Sequence, residues 1–261
     1  MNLAEARTFL FVPGDRPDRF AKAAAAGADV VVVDLEDAVA PADKAAARAH
    51  AVAWLAAGNE AVVRVNAAGT PWHAEDVAAL AGAPLMLPKA EHAADVERAG
   101  PVVVALVESA AGVAAAREVC GAAGVVRVAF GSIDLAAELG VDPASHTALL
   151  HARSALVLAA AAAGGPPPVD GVTTALDDPA AIRRDTAHAV ELGFTGKLCV
   201  HPRQIEPVHA ALRPSEEDIE WARRVLAASA AGSATAVDGR LVDRPVVLRA
   251  RRLLSRAGRT G

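Results

Sequence analysis

The stretch VVVALVESAAGVAAAREVCGAAGVVRVAFGSIDLAAEL, residues 102–139, contains the pattern that decides the fold of this protein. An apolar run that ends at Glu108 is followed by an alanine-rich helical segment, and a second run that ends at Gly131 is followed by another. Continuous apolar runs are typical of strands that are covered on both faces. Because such strands alternate with helices, they predict parallel pairing through right-handed crossovers.

The same strand–helix unit recurs through most of the chain. Eight units in a chain of 261 residues fit a closed (β/α)₈ TIM barrel, which typically needs about 250 residues. The predicted strands are Thr8–Pro13, Val30–Glu36, Ala61–Asn66, Pro84–Lys89, Val102–Glu108, Val125–Gly131, Val169–Thr174 and Lys197–Pro202.

An open, doubly wound sheet is the structural alternative to the barrel. Its dinucleotide-binding form carries G-x-G-x-x-G after the first strand. Here the first strand leads into PGDRP (residues 13–17), which has a single glycine. The sequence also lacks a P-loop and a G-x-S-x-G nucleophile elbow. These patterns argue against a nucleotide cofactor and against serine hydrolysis.

Composition and charge exclude several classes of protein. The net charge of −5 argues against a nucleic-acid partner, which requires a basic face. No apolar run approaches the roughly 20 residues that cross a bilayer, and residues 1–9 lack the apolar core of a signal peptide. Cys120 and Cys199 lie far apart in apolar surroundings and are expected to be buried, reduced thiols. We therefore expect a cytoplasmic protein without a membrane partner.

The pattern changes after the eighth strand, so we expect a barrel over residues 1–212 and a helix and lid extension over residues 213–261. Ser215 and Asp218 have the spacing of a capping box for a helix that reaches the Ser229–Gly232 region. Asp238-Gly239 predicts a turn between short extended pieces. A last, arginine-rich helix is predicted over Pro245–Arg256. This extension is expected to pack on the barrel or on a neighbouring subunit.

Ionisable residues stand at the ends of most of the predicted strands. Active sites of such barrels lie at the carboxyl ends of the strands, and burying so many charges is costly unless they are paired or bind a metal. Taken singly, each has a structural alternative: Asp34 or Asp37 as a helix cap, Arg64 as a partner of Glu36, and His201 as a loop cap. Their convergence on one rim favours function. The set comprises the ionisable residues Asp15, Arg16, Asp34, Glu36, Asp37, Arg64, Lys89, Glu108, Asp134 and His201, together with the amide residue Asn66.

Glu108 and Asp134 are the strongest candidates for a metal site. They close adjacent predicted strands, so both carboxylates can face the same mouth. An oxygen-rich pair without a histidine or thiolate suits Mg²⁺, which takes its remaining ligands from water and substrate. Arg64 beside them can bind a carboxylate or carbonyl oxygen, and metal with arginine would stabilise an enolate. The alternative is a salt-bridge network of structural importance only.

Eight segments, in order, resemble the citrate lyase β-subunit family and, more broadly, the HpcH/HpaI aldolase superfamily. The likeness extends from about Thr8 to Val247. The segments are FLFVPGDRPDRFAKA (Phe9–Ala23), VVVDLEDAV (Val31–Val39), VVRVN (Val62–Asn66), LMLPKAE (Leu85–Glu91), VALVESAAGV (Val104–Val113), FGSIDLAAELG (Phe130–Gly140), DGVTT (Asp170–Thr174) and GKLCVHPRQIEPV (Gly196–Val208).

The resemblance implies a TIM barrel that assembles into homotrimers, or into hexamers built from trimers. It implies Mg²⁺ held by Glu108 and Asp134, which also face the substrate, and Arg64 on the oxygens of an oxo-acid. The LVDRP segment (Leu241–Pro245) is similar to the family's lid motif, so Asp243 would reach a neighbouring subunit's site and handle the proton at the acyl α-carbon. The implied contacts with coenzyme A are Phe11, Arg16 and Lys22. Glu36 is taken as a further catalytic candidate.

The resemblance therefore predicts a Mg²⁺-dependent carbon–carbon lyase. Its substrate would be a 3-hydroxyacyl-CoA-type thioester (citramalyl-, malyl- or citryl-CoA), cleaved to an acyl-CoA and an oxo-acid. The enzymatic alternatives are a thioesterase or synthase acting on the same thioesters, an aldolase acting on free oxo-acids, and a citrate lyase β-subunit that needs a carrier-protein thioester. A non-catalytic subunit that binds coenzyme A is the alternative from another class.

Overall fold

The computed structural model describes residues 1–230 and 236–258, with only the backbone of Arg240. The chain divides into two compact units, Met1–His209 and Ala210–Gly261. The sequence pattern predicts the corresponding boundary three residues later, between residues 212 and 213.

The first unit is a closed barrel of eight parallel strands in the order of the chain. Strand β1 closes the barrel by pairing in parallel with both β2 and β8. The eight-stranded barrel predicted from the sequence is thus confirmed. The strands are β1 (Thr8–Pro13), β2 (Val30–Asp34), β3 (Val62–Arg64), β4 (Leu85–Leu87), β5 (Val103–Val107), β6 (Val125–Phe130), β7 (Val169–Asp170) and β8 (Gly196–Cys199).

Helices connect successive strands and cover the outside of the barrel, as right-handed crossovers require. Short 3₁₀ turns at Pro17–Arg19, Pro41–Asp43 and Pro202–Gln204 lead into three of these helices. The helices are α1 (Phe20–Ala24), α2 (Lys44–Ala56), α3 (His73–Ala79), α4 (Ala93–Ala99), α5 (Ala110–Ala114), α6 (Ala116–Gly121), α7 (Ser132–Leu139), α8 (Leu150–Ala162), α9 (Pro179–Leu192) and α10 (Ile205–Leu212).

Alternate residues of the strands fill the interior of the barrel, because successive side chains of a strand point to opposite faces. The residues between them, such as Val31, Val33 and Val63, are equally buried and face the helices. Apolar residues on both faces explain the continuous apolar runs of the sequence. The interior cluster is Leu3, Ala6, Phe9, Val30, Val32, Val62, Met86, Val104, Leu106, Ala129, Val169 and Leu198.

Most predicted strands extend beyond the observed ones at their carboxyl ends. Strand β7 is the extreme case, with two residues where the sequence predicted six. The extra residues form the turns that lead out of the strands, and some of them, such as Glu108 and Gly131, lie at the mouth of the barrel.

The second unit contains α11 (Glu216–Ala230), a two-stranded antiparallel sheet and α12 (Arg244–Ala257). The sheet pairs β9 (Ala236–Val237) with β10 (Arg240–Leu241). Its turn places Asp238 and Gly239 at positive φ, 52° and 73°, which confirms the predicted Asp-Gly turn. Helix α11 packs against α12 around Ala222, Val225 and Ala250. The predicted end of the first helix near Gly232 lies outside the described residues.

One half of the predicted capping box at the start of α11 is present. The peptide N–H of Asp218 donates to the Ser215 hydroxyl at 3.0 Å, and that hydroxyl donates to the Asp218 carboxylate at 2.8 Å. No helix in residues 1–230 and 236–258 has both the length and the apolar composition needed to span a bilayer.

Candidate active site

Three inward-facing positions continue the interior rows into the carboxyl-end mouth of the barrel. Asp34 follows Val32 by two residues, Arg64 follows Val62 by two, and Glu108 follows Leu106 by two. Since side chains two apart share a face, strand geometry alone directs these charges inward. Asp34 and Glu108 are buried, at 1% and 4% exposure.

The Arg64 guanidinium is held on two sides by carboxylates. Its Nε and Nη2 donate to the two oxygens of Asp34 at 2.7 and 2.6 Å, and its Nη1 lies 2.9 Å from Glu36 Oε2. Burial lowers the pKa of Arg64, but Asp34 and Glu36 outweigh it and the pKa is raised. The guanidinium lies 4.9 Å from the centre of the Phe11 ring, a cation–π distance. The bidentate partner of Arg64 is therefore Asp34, a pairing that the sequence had not indicated.

The loop after β2, which carries Glu36, is fixed by four hydrogen bonds with two side chains. Asp34 accepts hydrogen bonds from the peptide N–H of Glu36 at 2.9 Å and of Ala38 at 3.2 Å. The buried Lys44 ammonium donates to the carbonyl oxygens of Leu35 at 2.8 Å and Glu36 at 2.6 Å. A lysine among alanines at the start of α2 resembles a surface residue in the sequence, so this contact was missed.

The Glu108 carboxylate lies in a close-fitting cradle. Its Oε1 accepts a hydrogen bond from the peptide N–H of Lys89 at 2.9 Å. A Cβ atom on Gly131 would lie 2.2 Å from Glu108 Cβ and 2.4 Å from its Oε2, so glycine is required there. Burial and the nearby charge of Glu36 raise the pKa of Glu108 to about 8. The sequence placed Lys89 among the charged strand ends, but it gave no indication of the backbone contact of Lys89 or of the role of Gly131.

Glu36 is the second buried carboxyl group of the mouth. Burial raises the pKa of Glu36 to about 7; Arg64 opposes the rise, while Asp37 and Asp34 add to it. Its Oε2 makes no hydrogen bond of good geometry, although it lies within ion-pair distance of Arg64. Acidic groups crowded this closely are stabilised by an additional positive charge.

Asp134, in the first turn of α7, completes the mouth and is more exposed than Glu108. The Lys89 ammonium lies 3.9 Å from Asp134 Oδ2 and 3.7 Å from Glu36 Oε1. A cavity of about 420 Å³ opens beside Asp134, between it and Arg64 and Glu108. The residues around the cavity are Phe11, Pro13, Asp34, Asp37, Ala38, Arg64, Leu106, Glu108, Phe130, Gly131, Ser132, Ile133, Asp134, Val172, Leu198 and Val200.

The donor set around the cavity fits Mg²⁺ better than a softer metal. Glu108 and Asp134 both border the cavity, and burial together with the neighbouring carboxylates raises the pKa of Glu108. Within the described ranges, no group of three or more His, Cys, Asp or Glu side chains is placed to hold a metal. A site with two carboxylates leaves positions for water and substrate oxygens, as Mg²⁺ prefers.

Of the three residues expected to contact coenzyme A, one lines the cavity and two are exposed outside its lining. Phe11 borders the cavity beneath Arg64. Arg16 and Lys22 are exposed, and the Arg16 guanidinium donates to both oxygens of Asp18 at 2.9 and 2.8 Å. An incoming phosphate would therefore compete with Asp18 for Arg16.

Asp243 and His201 both occupy capping positions. Asp243 begins α12 in the second unit, where its carboxylate accepts a hydrogen bond from the peptide N–H of Val246 at 3.1 Å. His201 accepts a hydrogen bond from the peptide N–H of Arg203 at 3.2 Å and begins a 3₁₀ turn. In this structure His201 therefore makes the contacts of a loop cap, which is the structural role considered for it from the sequence.

Comparison with known proteins places this geometry in a family. Residues 7–102 and 97–202 match the model of the HpcH/HpaI aldolase/citrate lyase family. Residues 167–261 match a model described as a carbon–carbon bond lyase of the TIM-barrel fold. Together the two matches cover nearly the whole chain.

Individual relatives give the same result. The citrate lyase subunit beta-like protein of Mycobacterium tuberculosis is 45% identical over 99% of this chain and 98% of its own length. A (3S)-malyl-CoA thioesterase of Cereibacter sphaeroides is 34% identical over 96% of this chain and 94% of its own. A crystal structure of CitE from M. tuberculosis in complex with magnesium, acetoacetate and coenzyme A superposes with a TM-score of 0.88 at 43% identity. It covers 98% of this chain and 100% of its own. The chain therefore belongs to the HpcH/HpaI aldolase/citrate lyase family and has the TIM-barrel fold of its carbon–carbon lyases.

Proposed function

We propose that this protein is a Mg²⁺-dependent lyase that cleaves a 3-hydroxyacyl-CoA-type thioester to an acyl-CoA and an oxo-acid. The candidate substrates are citramalyl-, malyl- and citryl-CoA. The observation that carries the proposal is the mouth of the barrel, where Arg64, Glu108 and Asp134 surround one cavity of about 420 Å³. Support also comes from the similar CitE structure, which contains magnesium, acetoacetate and coenzyme A.

In this proposal each group at the mouth has a distinct task. Glu108 and Asp134 would hold Mg²⁺, which when bound supplies Lewis-acid stabilisation of negative charge on oxygen. Arg64, kept in place by Asp34, would bind the oxygens of the oxo-acid portion with its remaining N–H donors. Glu36 would keep the Arg64 Nη1 oriented and act as a proton acceptor near the reacting carbon, consistent with its raised pKa.

Binding of the thioester and proton exchange at the acyl α-carbon are assigned to residues outside this cluster. Arg16 and Lys22 would bind phosphate groups of coenzyme A, and Phe11 would lie along the acyl portion. Asp243 of a neighbouring subunit would exchange the proton with the α-carbon of the acyl product, which requires a homotrimer or a hexamer of trimers. The match of residues 167–261 to a carbon–carbon lyase model supports a role for this segment. We also place the protein in the cytoplasm.

The first experiment is cleavage of the three thioesters, each with Mg²⁺ and with EDTA. Release of one particular oxo-acid with Mg²⁺, and none with EDTA, is the expected result. No cleavage of any thioester by protein that still binds coenzyme A would instead favour a carrier-protein-dependent citrate lyase β-subunit or a non-catalytic role.

Two substitutions test the metal ligands. Glu108→Ala and Asp134→Ala should each lower kcat/KM by about 10³-fold or more, since both the cation and the stabilisation of the enolate are lost. Glu118→Ala, in α6 and away from the cavity, is the matched control and should keep full activity. Full activity in Glu108→Ala or Asp134→Ala would refute the assignment of the metal site.

Thioester hydrolysis is the second candidate, favoured by the (3S)-malyl-CoA thioesterase that is 34% identical to this chain. Hydrolysis would release free coenzyme A with an intact hydroxy acid, whereas lyase activity releases acyl-CoA with an oxo-acid. A thiol reagent for free coenzyme A, combined with an assay for the oxo-acid, distinguishes the two reactions in one reaction mixture.

A further inference from the structure

Lys89 stands out in the mouth because its backbone is held in an unusual conformation. Its φ is 49°, in the left-handed region that residues other than glycine, asparagine and aspartate seldom adopt. At this point its peptide N–H donates to Glu108 Oε1 at 2.9 Å. Backbone strain of this kind persists where the surroundings enforce it, and it is common at functional sites.

The side chain of Lys89 reaches the other carboxylates of the mouth. Its ammonium lies 3.7 Å from Glu36 Oε1 and 3.9 Å from Asp134 Oδ2. Both distances exceed a normal hydrogen bond, so the charge lies between two carboxylates without close pairing to either. Lys89 thus contacts Glu108 through its backbone and approaches Asp134 through its side chain.

We propose that the Lys89 ammonium competes with the divalent cation for Asp134. In the metal-free protein it partly neutralises Asp134 and Glu36; when the cation binds, it leaves Asp134 and pairs with Glu36. Lys89 is thus a positioning residue that sets metal affinity and couples metal binding to the orientation of Glu36. This inference rests on the proposed function, because it takes Glu108 and Asp134 as the metal ligands.

Electrostatics gives the direction of the effect. An ammonium that approaches a ligand carboxylate within 4 Å repels a doubly charged ion at that ligand. The side chain is 46% exposed and has a flexible stem, so it can move to Glu36 while the backbone contact with Glu108 stays in place. Removing the charge should therefore tighten Mg²⁺ binding on the order of tenfold, and added salt should reduce the difference.

The experiment is a calorimetric titration of the full-length protein with MgCl₂ alone. Lys89→Met and Lys89→Gln remove the charge with unbranched side chains, while Lys89→Arg retains it. Arg98→Met removes a positive charge on α4, the helix that follows Lys89, and is the matched control. We expect tighter Mg²⁺ binding for Lys89→Met and Lys89→Gln, and affinities close to wild type for Lys89→Arg and Arg98→Met.

The outcomes separate this inference from the proposed function. Wild-type protein that binds Mg²⁺, with folded Lys89→Met and Lys89→Gln that bind it equally well or more weakly, overturns the inference alone. Absence of Mg²⁺ binding in all variants overturns both. Tighter binding together with a lower kcat, and with kcat retained in Lys89→Arg, supports the coupling to Glu36.

Discussion

Gly131 shows how one residue without a side chain controls the chemistry of its neighbour. Its φ of −91° is open to any amino acid, so the reason for glycine is space and not conformation. A Cβ atom there would overlap Glu108, the group expected to bind the cation. The last residue before α7 is therefore as important to the site as the charged residues around it.

Substitution of Gly131 by alanine tests this close contact. We expect Gly131→Ala to displace the Glu108 carboxylate and to weaken Mg²⁺ binding and activity at least tenfold. The free energy of unfolding should fall by about 1–3 kcal/mol, as for other overpacked sites. Gly121→Ala at the end of α6 is the control, since a Cβ there has no neighbour within 4 Å. Unchanged Mg²⁺ affinity in Gly131→Ala would mean that Glu108 does not need its present position.

Among the helices, α12 raises the question of what Asp243 does. Its carboxylate caps the helix by accepting the N–H of Val246, and the proposed function gives it a proton-transfer role as well. Asparagine is as good a helix cap as aspartate but cannot exchange a proton. The two roles can therefore be separated by one substitution.

We expect Asp243→Asn to lower kcat by about 10²–10⁴-fold, the usual contribution of a general acid–base group. The thermal stability and the helical circular dichroism signal should stay close to wild type, because the cap is retained. Asp243→Ala should lose both activity and about 1 kcal/mol of stability. Wild-type kcat in Asp243→Asn would restrict this residue to its capping role.

Elements were predicted from the sequence more reliably than contacts. The apolar runs predicted all eight strands of the barrel because burial on both faces leaves a continuous signal in the sequence. The predicted carboxyl ends of most strands lie beyond the observed ones. The residues that follow these strands have a composition similar to that of the strands, so the sequence does not mark where the strands end. Charged strand ends indicated Arg64, Glu108 and Asp134, but nothing in the sequence indicated that both carboxylate oxygens of Asp34 would accept hydrogen bonds from Arg64.

The roles at the site that the sequence did not indicate depend on conformation, packing or contacts with the backbone. Lys44 binds carbonyl oxygens, Lys89 contributes a left-handed backbone, and Gly131 contributes only space. A single sequence contains no signal for such roles, because each depends on what the fold brings next to the residue. The role proposed for Asp243 likewise requires a neighbouring subunit, which a single sequence does not describe.

At the scale of the whole molecule, the acidic mouth links stability to pH. The pKa values of Glu36 and Glu108 are raised to about 7 and about 8, whereas the same groups in the unfolded chain ionise near 4.3. As the pH rises, the two glutamates therefore lose their protons at a lower pH in the unfolded chain than in the folded protein. The contribution of both groups to the stability of the metal-free protein is therefore present at acid pH and falls as the pH rises towards about 8.

Mg²⁺ should reverse this loss, because it binds the ionised carboxylate. We expect a saturating concentration of Mg²⁺ to raise Tm more at pH 8.5 than at pH 6, since at pH 6 protons must first be displaced from Glu108. Each kcal/mol corresponds to about 2–4 °C for a protein of this size. The measurement is thermal unfolding with Mg²⁺ and with EDTA at both pH values. In Glu108→Gln the dependence on pH should be much smaller; an equal shift at both pH values in wild type would contradict the link.

The alternation of side chains along the strands has a consequence for insertions and deletions. All five residues of β5 are buried, and those facing the helices are as apolar as those facing the interior. One residue inserted into this strand would exchange the two sets with little change in hydrophobicity, yet it would turn Glu108 away from the mouth. Such a variant could keep a barrel-like circular dichroism spectrum and a cooperative melting curve while lacking a metal site. Spectroscopy and melting curves would then not show whether β5 is in its correct register. A ligand-binding measurement would show it, because binding requires Glu108 to face the mouth.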